Sequence, residues 1–544
     1  MARLRHARDG RARVLLLEAA ILTPPTRTRD LRDDALLVEF PEASDEEASR
    51  AAARLGKRLA ASAPAGLLDA VPGARTVLVV FDPERLSGDR LREEIARRAS
   101  GADDAGEPAR IVRLPVAYGG SAALDLAALA RDAALSEEEF VRRHAAAEYR
   151  VAFVGFAPGF AYLAGVPPEL RAARLPSPRP RVAAGAVAIG GPYTGVYPAA
   201  MSGGWRLIGR TTVRLFDPEA APPALLAPGD RVRLDRVREE ELPAPAFAAR
   251  ERPPAGRAIF RVESPGAFAA VLGAPRYGLG SSGVPAGGAM DRRSLARANA
   301  LVGNGAGAPA LEIALVGPEL EAMDETEVAV AGADFDVLLD GAPVRSGEAF
   351  RVRAGSRLRF GRARGGARAY LAIAGGLADP RLPGETTRRI ERGEVLAART
   401  GPPSRRAASD PGERPAGDRI ALRVVPGPQA DHFPAATLER FLASSWRVSP
   451  VSDRRGLRLE GERLEHARAG EIPPEGTVPG SIQVPGEGLP IVLGPDGPVT
   501  GGYPKIATVI AADLPLVGQA APGGEIRFRA VTLVDARRAR GEYD

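Results

Sequence analysis

The chain has 544 residues, enough for roughly three to five domains of ordinary size, and its 45% hydrophobic content supplies real cores. Its 74 Lys plus Arg against 68 Asp plus Glu leave a net charge of +6, but acids and bases are interspersed and no basic block is interleaved with aromatics, which argues against nucleic-acid binding. Cysteine is absent, which excludes a disulfide framework, a thiol nucleophile and a thiolate metal site. The four histidines, His6, His144, His432 and His466, are far apart and lack HExxH-like spacing, so no metal site is expected. No apolar stretch approaches the roughly 20 residues that cross a bilayer. No membrane association is therefore expected, and the cytoplasm is the expected compartment.

Residues 1–30 read as an arginine-rich extension. Residues 31–118 read as a small ferredoxin-like α+β domain. ALLVEF is a strand; SDEEASRAAARLGKRLA opens with Ser44 and Glu47 in capping-box spacing, and Ala48, Ala51, Ala52, Leu55 and Leu59 share one helical face. TVLVVF, SGDRLREEIARRA and ARIVRLPVAY follow as strand, helix and strand. A further capping box, Ser136 with Glu139, starts another helix.

From about residue 150 the pattern changes to short strands punctuated by glycine, which favours a barrel or sandwich. Residues 119–240 are read as the first barrel domain, and 241–258, rich in Pro, Ala and Arg, as a linker. Residues 259–398 are a first β module of the second half, 399–418 a second linker and 419–536 a second β module. The expected class is mainly β, multi-domain, with a small α+β domain near the start.

Several motifs stand out. In GFAPGFAYL, Gly159 and Phe160 belong to a turn where backbone comes close to a neighbour and aromatic faces stay available. Downstream, AGAVAIGGPYTGVYP and GGWRLIGRT place Thr194, Tyr197, Trp205, Arg206 and Arg210 on or beside turns between strands. Arginines beside glycine turns suit carboxylate or phosphate groups. The residues alone fit either packed turns with solvated arginines or a ligand site.

Lysine usage is a separate signal. Only Lys57 and Lys505 occur in the whole chain. Lys57, in RLGKRL, reads as a surface charge on a helix. Lys505, in TGGYPKIATV, follows a Gly-Gly-Tyr-Pro turn and starts an apolar run. Lysine differs from arginine in being compact and readily desolvated, so the position reads either as a surface residue at a strand start or as a site group.

These motifs carry a resemblance. Residues 31–237, through LRDDALLVEF, GFAPGFAYL, AGAVAIGGPYTGVYP and GGWRLIGRT, resemble the first subunit of bacterial 5-oxoprolinase, the allophanate hydrolase subunit 1 or kinase-inhibitor-like family. Residues 257–536 resemble the second subunit, through GVPAGGAMDRRSLARANALVGN, ALEIALVGPEL, RVVPGPQADHF, RVSPVSDRRGLRLEG, VPGSIQVPGEGLPIVL and TGGYPKIATV. Together the halves resemble the carboxyltransferase region of urea amidolyase, and the chain looks like a fusion of the two subunits.

The resemblance implies tandem cyclophilin-like barrels and a part in the ATP-dependent opening of 5-oxoproline to glutamate, with a separate third oxoprolinase subunit as partner and a small-molecule substrate. A homo-oligomer is compatible with this reading. ATP, with magnesium accompanying it, is the implied cosubstrate. No GxxxxGK[ST] loop is present, so ATP would use another cradle or one shared with the partner. Lys505, Arg206 and Arg210 are the implied catalytic cations, acting on developing negative charge. Gln483 and Tyr503 would join Lys505 in one polar cluster, and Gly159, Phe160, Thr194 and Tyr197 would line a substrate or ATP site.

Two departures touch the middle module. Leu272 and Gly273 stand where the family carries Gln and Asp, and the loop PGETTRRIERGEVL is short. Asp291, in the intact GVPAGGAMD, is expected to cap the helix that follows. Two other readings remain: a carboxybiotin-dependent carboxyltransferase, and a regulator of a sensor histidine kinase. Biotin is not expected on this chain, because neither lysine sits in the Met-Lys-Met hairpin a carrier needs.

Overall fold

The computed structural model describes residues 26–41, 43–100, 110–244, 256–382, 384–399 and 419–541. Residues 1–25 of the extension, most of the 241–258 linker and nearly all of the 399–418 linker lie outside them. Among the described residues, no helix is long and apolar enough to cross a membrane.

The small domain is a four-stranded antiparallel sheet in the order Arg27–Arg32, Ala35–Glu39, Thr76–Phe81, Leu67–Pro72, covered by helices Asp45–Ala61 and Gly88–Ser100. The Ser44–Glu47 capping box is formed, and the alanine and leucine stripe packs on Leu36, Val38, Val77 and Val79. Two expectations need correction. The strand Ile111–Tyr118, read as the last strand of this domain, belongs to the neighbouring barrel. Its place at the sheet edge is taken by Arg27–Arg32, read as extension. The domain is thus a permuted split βαβ unit. RTRDLR carries a single apolar residue, Leu31, so it shows no period-2 signal; Leu31 itself is fully buried.

Two closed seven-stranded barrels follow the same circuit. The first joins Ile111–Tyr118, Tyr149–Val154, Ala161–Ala164, Ala186–Gly190, Tyr193–Val196, Arg206–Arg210 and Arg231–Arg236. The last joins Arg419–Pro426, Trp446–Val448, Gly456–Glu460, Ser481–Gln483, Ile491–Leu493, Lys505–Val509 and Glu525–Ala530. In both, the first and last strands pair in parallel, from Arg231↔Ile111 to Arg236↔Val116 and from Arg419↔Glu525 to Val424↔Ala530. Each also carries a two-stranded ribbon, Arg179–Val182 with Met201–Gly203 and Glu475–Gly476 with Thr500–Gly501.

The middle module differs. Its nine strands form one sheet that does not close, built around the long strands Thr326–Leu339 and Arg357–Ile373. Helix Arg292–Leu301 packs against it, and Asp291 caps that helix by accepting from Ser294 N at 3.0 Å.

The ribbon of the last barrel is the meeting place of the modules. Ala74 N, in the small-domain hairpin, donates to Pro474 O at 2.7 Å. Leu78 and Val80 of the same sheet pack on Val478 and Val499. Gly155, closing a strand of the first barrel, lies against Thr500, and its neighbour Gly159 donates to Ser282 O of the middle module at 2.9 Å.

Candidate functional site

The ribbon brings a buried polar cluster to this junction. Lys505, first residue of its strand, is fully buried, and its Nζ is ion-paired with Glu475 Oε1 on the ribbon. Gln429, in the turn after strand Arg419–Pro426, ties the two together. Its Nε2 donates to Glu475 Oε1 at 2.7 Å, and its Oε1 accepts from Lys505 N at 3.2 Å. The lysine is therefore neither a surface residue nor a charge open to solvent. Its ammonium is committed to a carboxylate.

Beside this pair are polar atoms with no protein partner among the described residues. Gln483, paired across the sheet with Lys505, is 4% exposed, and its Nε2 makes no hydrogen bond; Thr500 Oγ1 is in the same state. Leaving a buried donor unmade costs about 1–3 kcal/mol, so such groups mark places where a ligand or water completes the set. Both atoms press on glycine. A Cβ on Gly501 would stand 2.3 Å from Gln483 Nε2, and one on Gly155 would stand 1.7 Å from Thr500 Oγ1. The glycines in GFAPG and TGGYP are thus required by close approach, and they make the two motifs neighbours. Phe156, between them in the first motif, has φ +67°, an uncommon strain for an aromatic residue. Tyr503 is half-buried two residues before Lys505.

A cleft of about 540 Å³, open solvent included, lies next to the ribbon, walled by Val71 and Leu78, by Tyr277 and Gly280, and by Thr477 and Val499. Asp69 reaches into it. Its carboxylate accepts from Ala70 N at 2.9 Å and from Gly278 N and Gly280 N at 3.1 Å each. Burial pushes this carboxyl above its ordinary range in spite of those three donors. Asp69 escaped the sequence reading because LLDAVP carries no motif. Glu475 and Gln429 escaped it too, although PGPQADHF was a visible signal.

Arg454 fastens the wall of this region. It donates to Gly288 O at 2.6 Å, to Glu312 Oε1 at 2.7 Å and to Asp496 at 2.8 and 3.0 Å. Burial opposes ionisation of Glu312, but Arg454 and Arg368 hold its carboxyl below the usual range. The short loop of the middle module joins this clamp, since Thr387 Oγ1 donates to Asp496 Oδ2 at 2.6 Å. Leu272 is core, fully buried at a strand end.

The remaining candidates lie in the first barrel and do not join the cluster. Phe160 packs edge-on with Tyr197 and with Trp205 in an aromatic cluster, ring centroids 5.3 and 5.2 Å away. Thr194 is fully buried, 3.1 Å from His144 Nε2, while Tyr118 Oη is 2.9 Å from His144 Nδ1. Burial lowers the His144 pKa to about 3, so the ring is neutral. Arg206 faces Asp125 at 3.4 Å, and Arg210 pairs with Glu239 at 2.7 Å. A single electropositive pocket holding Lys505 and both arginines is not what the fold builds. The strand Arg206–Arg210 and the strand Lys505–Val509 belong to different barrels.

Comparison with known proteins agrees with this two-part architecture. Residues 26–226 match the family described as carboxyltransferase domain, subdomain C and D, and residues 282–530 match carboxyltransferase domain, subdomain A and B. The chain is 35% identical over 294 residues to the C subunit of 5-oxoprolinase from Escherichia coli K12, covering 52% of this chain and 94% of that protein. It is 45% identical over 170 residues to the B subunit of 5-oxoprolinase from Escherichia coli O157:H7, covering 31% and 77%. The crystal structure of TTHA0988 superposes with a TM-score of 0.81 at 38% identity, covering 92% of this chain and all of that one. The chain belongs to the carboxyltransferase-domain family of the 5-oxoprolinase B and C subunits, with the counterparts of both in one polypeptide.

Proposed function

We propose that the chain performs the part of the B and C subunits in ATP-dependent hydrolysis of a small cyclic amide, 5-oxoproline to glutamate, together with a third oxoprolinase subunit. One observation carries this reading: motif loops from the counterparts of both subunits meet at the ribbon, where buried polar atoms stand without partners beside an enclosed ion pair. An unactivated lactam resists water. Transfer of the terminal phosphoryl group of ATP to the lactam oxygen, with release of ADP, makes the ring carbon electrophilic. Water adds to that carbon, the ring C–N bond breaks as the amine takes a proton, and a second water hydrolyses the resulting acyl phosphate to carboxylate and inorganic phosphate.

In this reading the chain's own residues bind and orient. On this proposal the unpartnered Gln483 amide and Thr500 hydroxyl hydrogen-bond the ring amide, and Gln483 meets the transferred charge as a donor. Asp69, raised by burial, takes up a proton. Lys505 and Glu475 fix the ribbon that presents these groups. Arg206 and Arg210 take part only through Asp125 and Glu239, which already engage them. A carrier role for biotin gains no support, since Lys505 is enclosed and Lys57 sits on the helix Asp45–Ala61.

The test is 5-oxoproline-dependent ATP hydrolysis by the purified chain with its third subunit. Turnover of both compounds together is the expected result. Absence of oxoproline-dependent hydrolysis, with a third subunit shown to be competent beside separate B and C subunits, would reject the reading.

A further inference from the structure

We propose that a second cleft, adjoining the Asp69 cleft, binds the nucleoside triphosphate, an inference that rests on the ATP-dependent reading above. This cleft is open to solvent, and the space between its walls, solvent included, is about 920 Å³. One wall is apolar and comes from the last barrel: Leu514, Pro515 and Val517. The facing wall comes from the GVPAGGAMDRR segment of the middle module: Met290, Arg292 and Arg293. A flat apolar body with a polyanionic tail is the chemistry that suits such a pair of walls.

The charges around it are arranged unequally. Arg540, from the C-terminal helix, lines the cleft beside Asp34 but is held by Asp33 at 2.8 Å and by Asp34 at 3.1 Å. Asp291 lies next to the arginines yet turns inward, accepting from Ser294 N at 3.0 Å and from Gln519 Nε2 at 2.6 Å. Arg292, by contrast, is exposed, and its Nη2 approaches the Tyr277 hydroxyl at 3.5 Å, the outer limit of a hydrogen bond. The anion-binding arm is therefore built on Arg292, with Arg293 on the same wall, and the acids near it are engaged elsewhere.

Position supports the assignment. The two clefts share Pro479, Leu493, Gly494 and Pro495 as lining, so a nucleotide in one adjoins a small substrate in the other. The sequence has no GxxxxGK[ST] loop, and this cleft offers guanidinium groups in its stead. Magnesium would arrive on the phosphates, because no cluster of metal-ligating side chains exists among the described residues.

Calorimetric titration of the full chain with the magnesium complex of adenylyl imidodiphosphate, a non-hydrolysable analogue, tests this. Saturable binding is expected, weakened at least tenfold by Arg292→Ala with Arg293→Ala. Leu514→Asp, placing a carboxylate on the apolar wall, should weaken it by a similar factor. Because the arginines lie at the surface end of a helix, the double variant should keep the parent melting temperature; if it does not, Arg292→Ala alone is titrated and a threefold or greater loss is expected. Failure of the parent chain to bind the analogue, or equal binding by the arginine variants, overturns the proposal. Binding as expected in a chain without oxoproline-dependent ATP hydrolysis would leave this site standing and reject only the choice of reaction.

Discussion

The first and last barrels hold the same seat in two electrostatic versions. In each, a cation opens the strand that pairs with the first strand: Arg206 in one, Lys505 in the other. A polar residue in the connection after the first strand accepts from that strand's backbone. Asp125 Oδ2 takes Leu207 N at 2.7 Å, and Gln429 Oε1 takes Lys505 N at 3.2 Å. A ribbon residue completes each trio, Arg179 on Asp125 at 2.9 Å and Glu475 on Lys505. The acid has moved from the connection to the ribbon. Two arginines share one carboxylate in the first barrel and keep side-chain exposures of 20% and 23%, whereas the lysine pair is closed off. A closed seat suits a compact ammonium better than a broad planar fork, which accounts for a lysine here in a chain with just one other, Lys57.

The largest expected effect breaks the closed version. Glu475→Gln leaves the Lys505 charge buried without its partner, and Lys505→Met does the same to Glu475; each should cost about 3–5 kcal/mol. Lys505→Met combined with Glu475→Leu should recover much of that loss, since a matched apolar pair removes both desolvation penalties. Lys505→Arg should overpack the seat and cost about 1–3 kcal/mol. The two tryptophans divide between the barrels, Trp205 in the first and Trp446 in the last. Urea unfolding followed by Trp446 emission in a Trp205→Phe background therefore reads the last barrel. Additive losses in the double variant would show that the pair is not a closed unit.

The barrels differ again inside. His144 in the first occupies the place of Phe441 in the last, five residues before the matching strand begins with Tyr149 or Trp446. The folded pKa of His144, about 3, lies below the ordinary value of 6.5. The unfolded chain therefore takes up a proton first, and the contribution of this group is intact above pH 6.5 and lost as pH falls toward 3. Between pH 7.5 and pH 5 the loss should be about 2 kcal/mol in the first barrel, with no histidine counterpart at Phe441. His144→Phe should flatten that part of the profile. A slope that persists in the variant would assign it to other groups.

Much of this was legible in the residues. The capping box at Ser44, the Asp291 cap and the glycine-punctuated strands follow from local chemistry, and of the box expected at Ser136 only the cap forms, because the Glu139 carboxylate turns to Arg142 and Arg143. The pairing of GFAPG with TGGYP could be read only as two separate close approaches, because Gly155 and Thr500 are brought together by domain docking. The barrel repeat was hidden for a related reason. Its matching positions, Arg206 with Lys505 and Asp125 with Gln429, preserve placement and hydrogen-bond role but not residue type or spacing. Arg27–Arg32 was missed because an edge strand covered on one side needs just one apolar residue.

The smallest effect tests the repeat itself. Tyr149 Oη donates to His144 O at 2.7 Å, and Trp446 Nε1 donates to Phe441 O at 3.1 Å. These are the same bond in two chemistries: a ring at the head of a strand closes onto the last turn of the helix before it. Tyr149→Phe and Trp446→Phe each remove the donor. The first keeps the ring and should cost about 1 kcal/mol, while the second also removes indole volume and should cost somewhat more. The carbonyls decide the matter. If both seats are built alike, the two variants should each speed amide exchange at the helix end that carries the abandoned carbonyl, His144 in one and Phe441 in the other, and leave the opposite barrel unchanged. Exchange that rises in only one of them would mean that the two barrels share a strand order without sharing the way each helix is pinned to its strand.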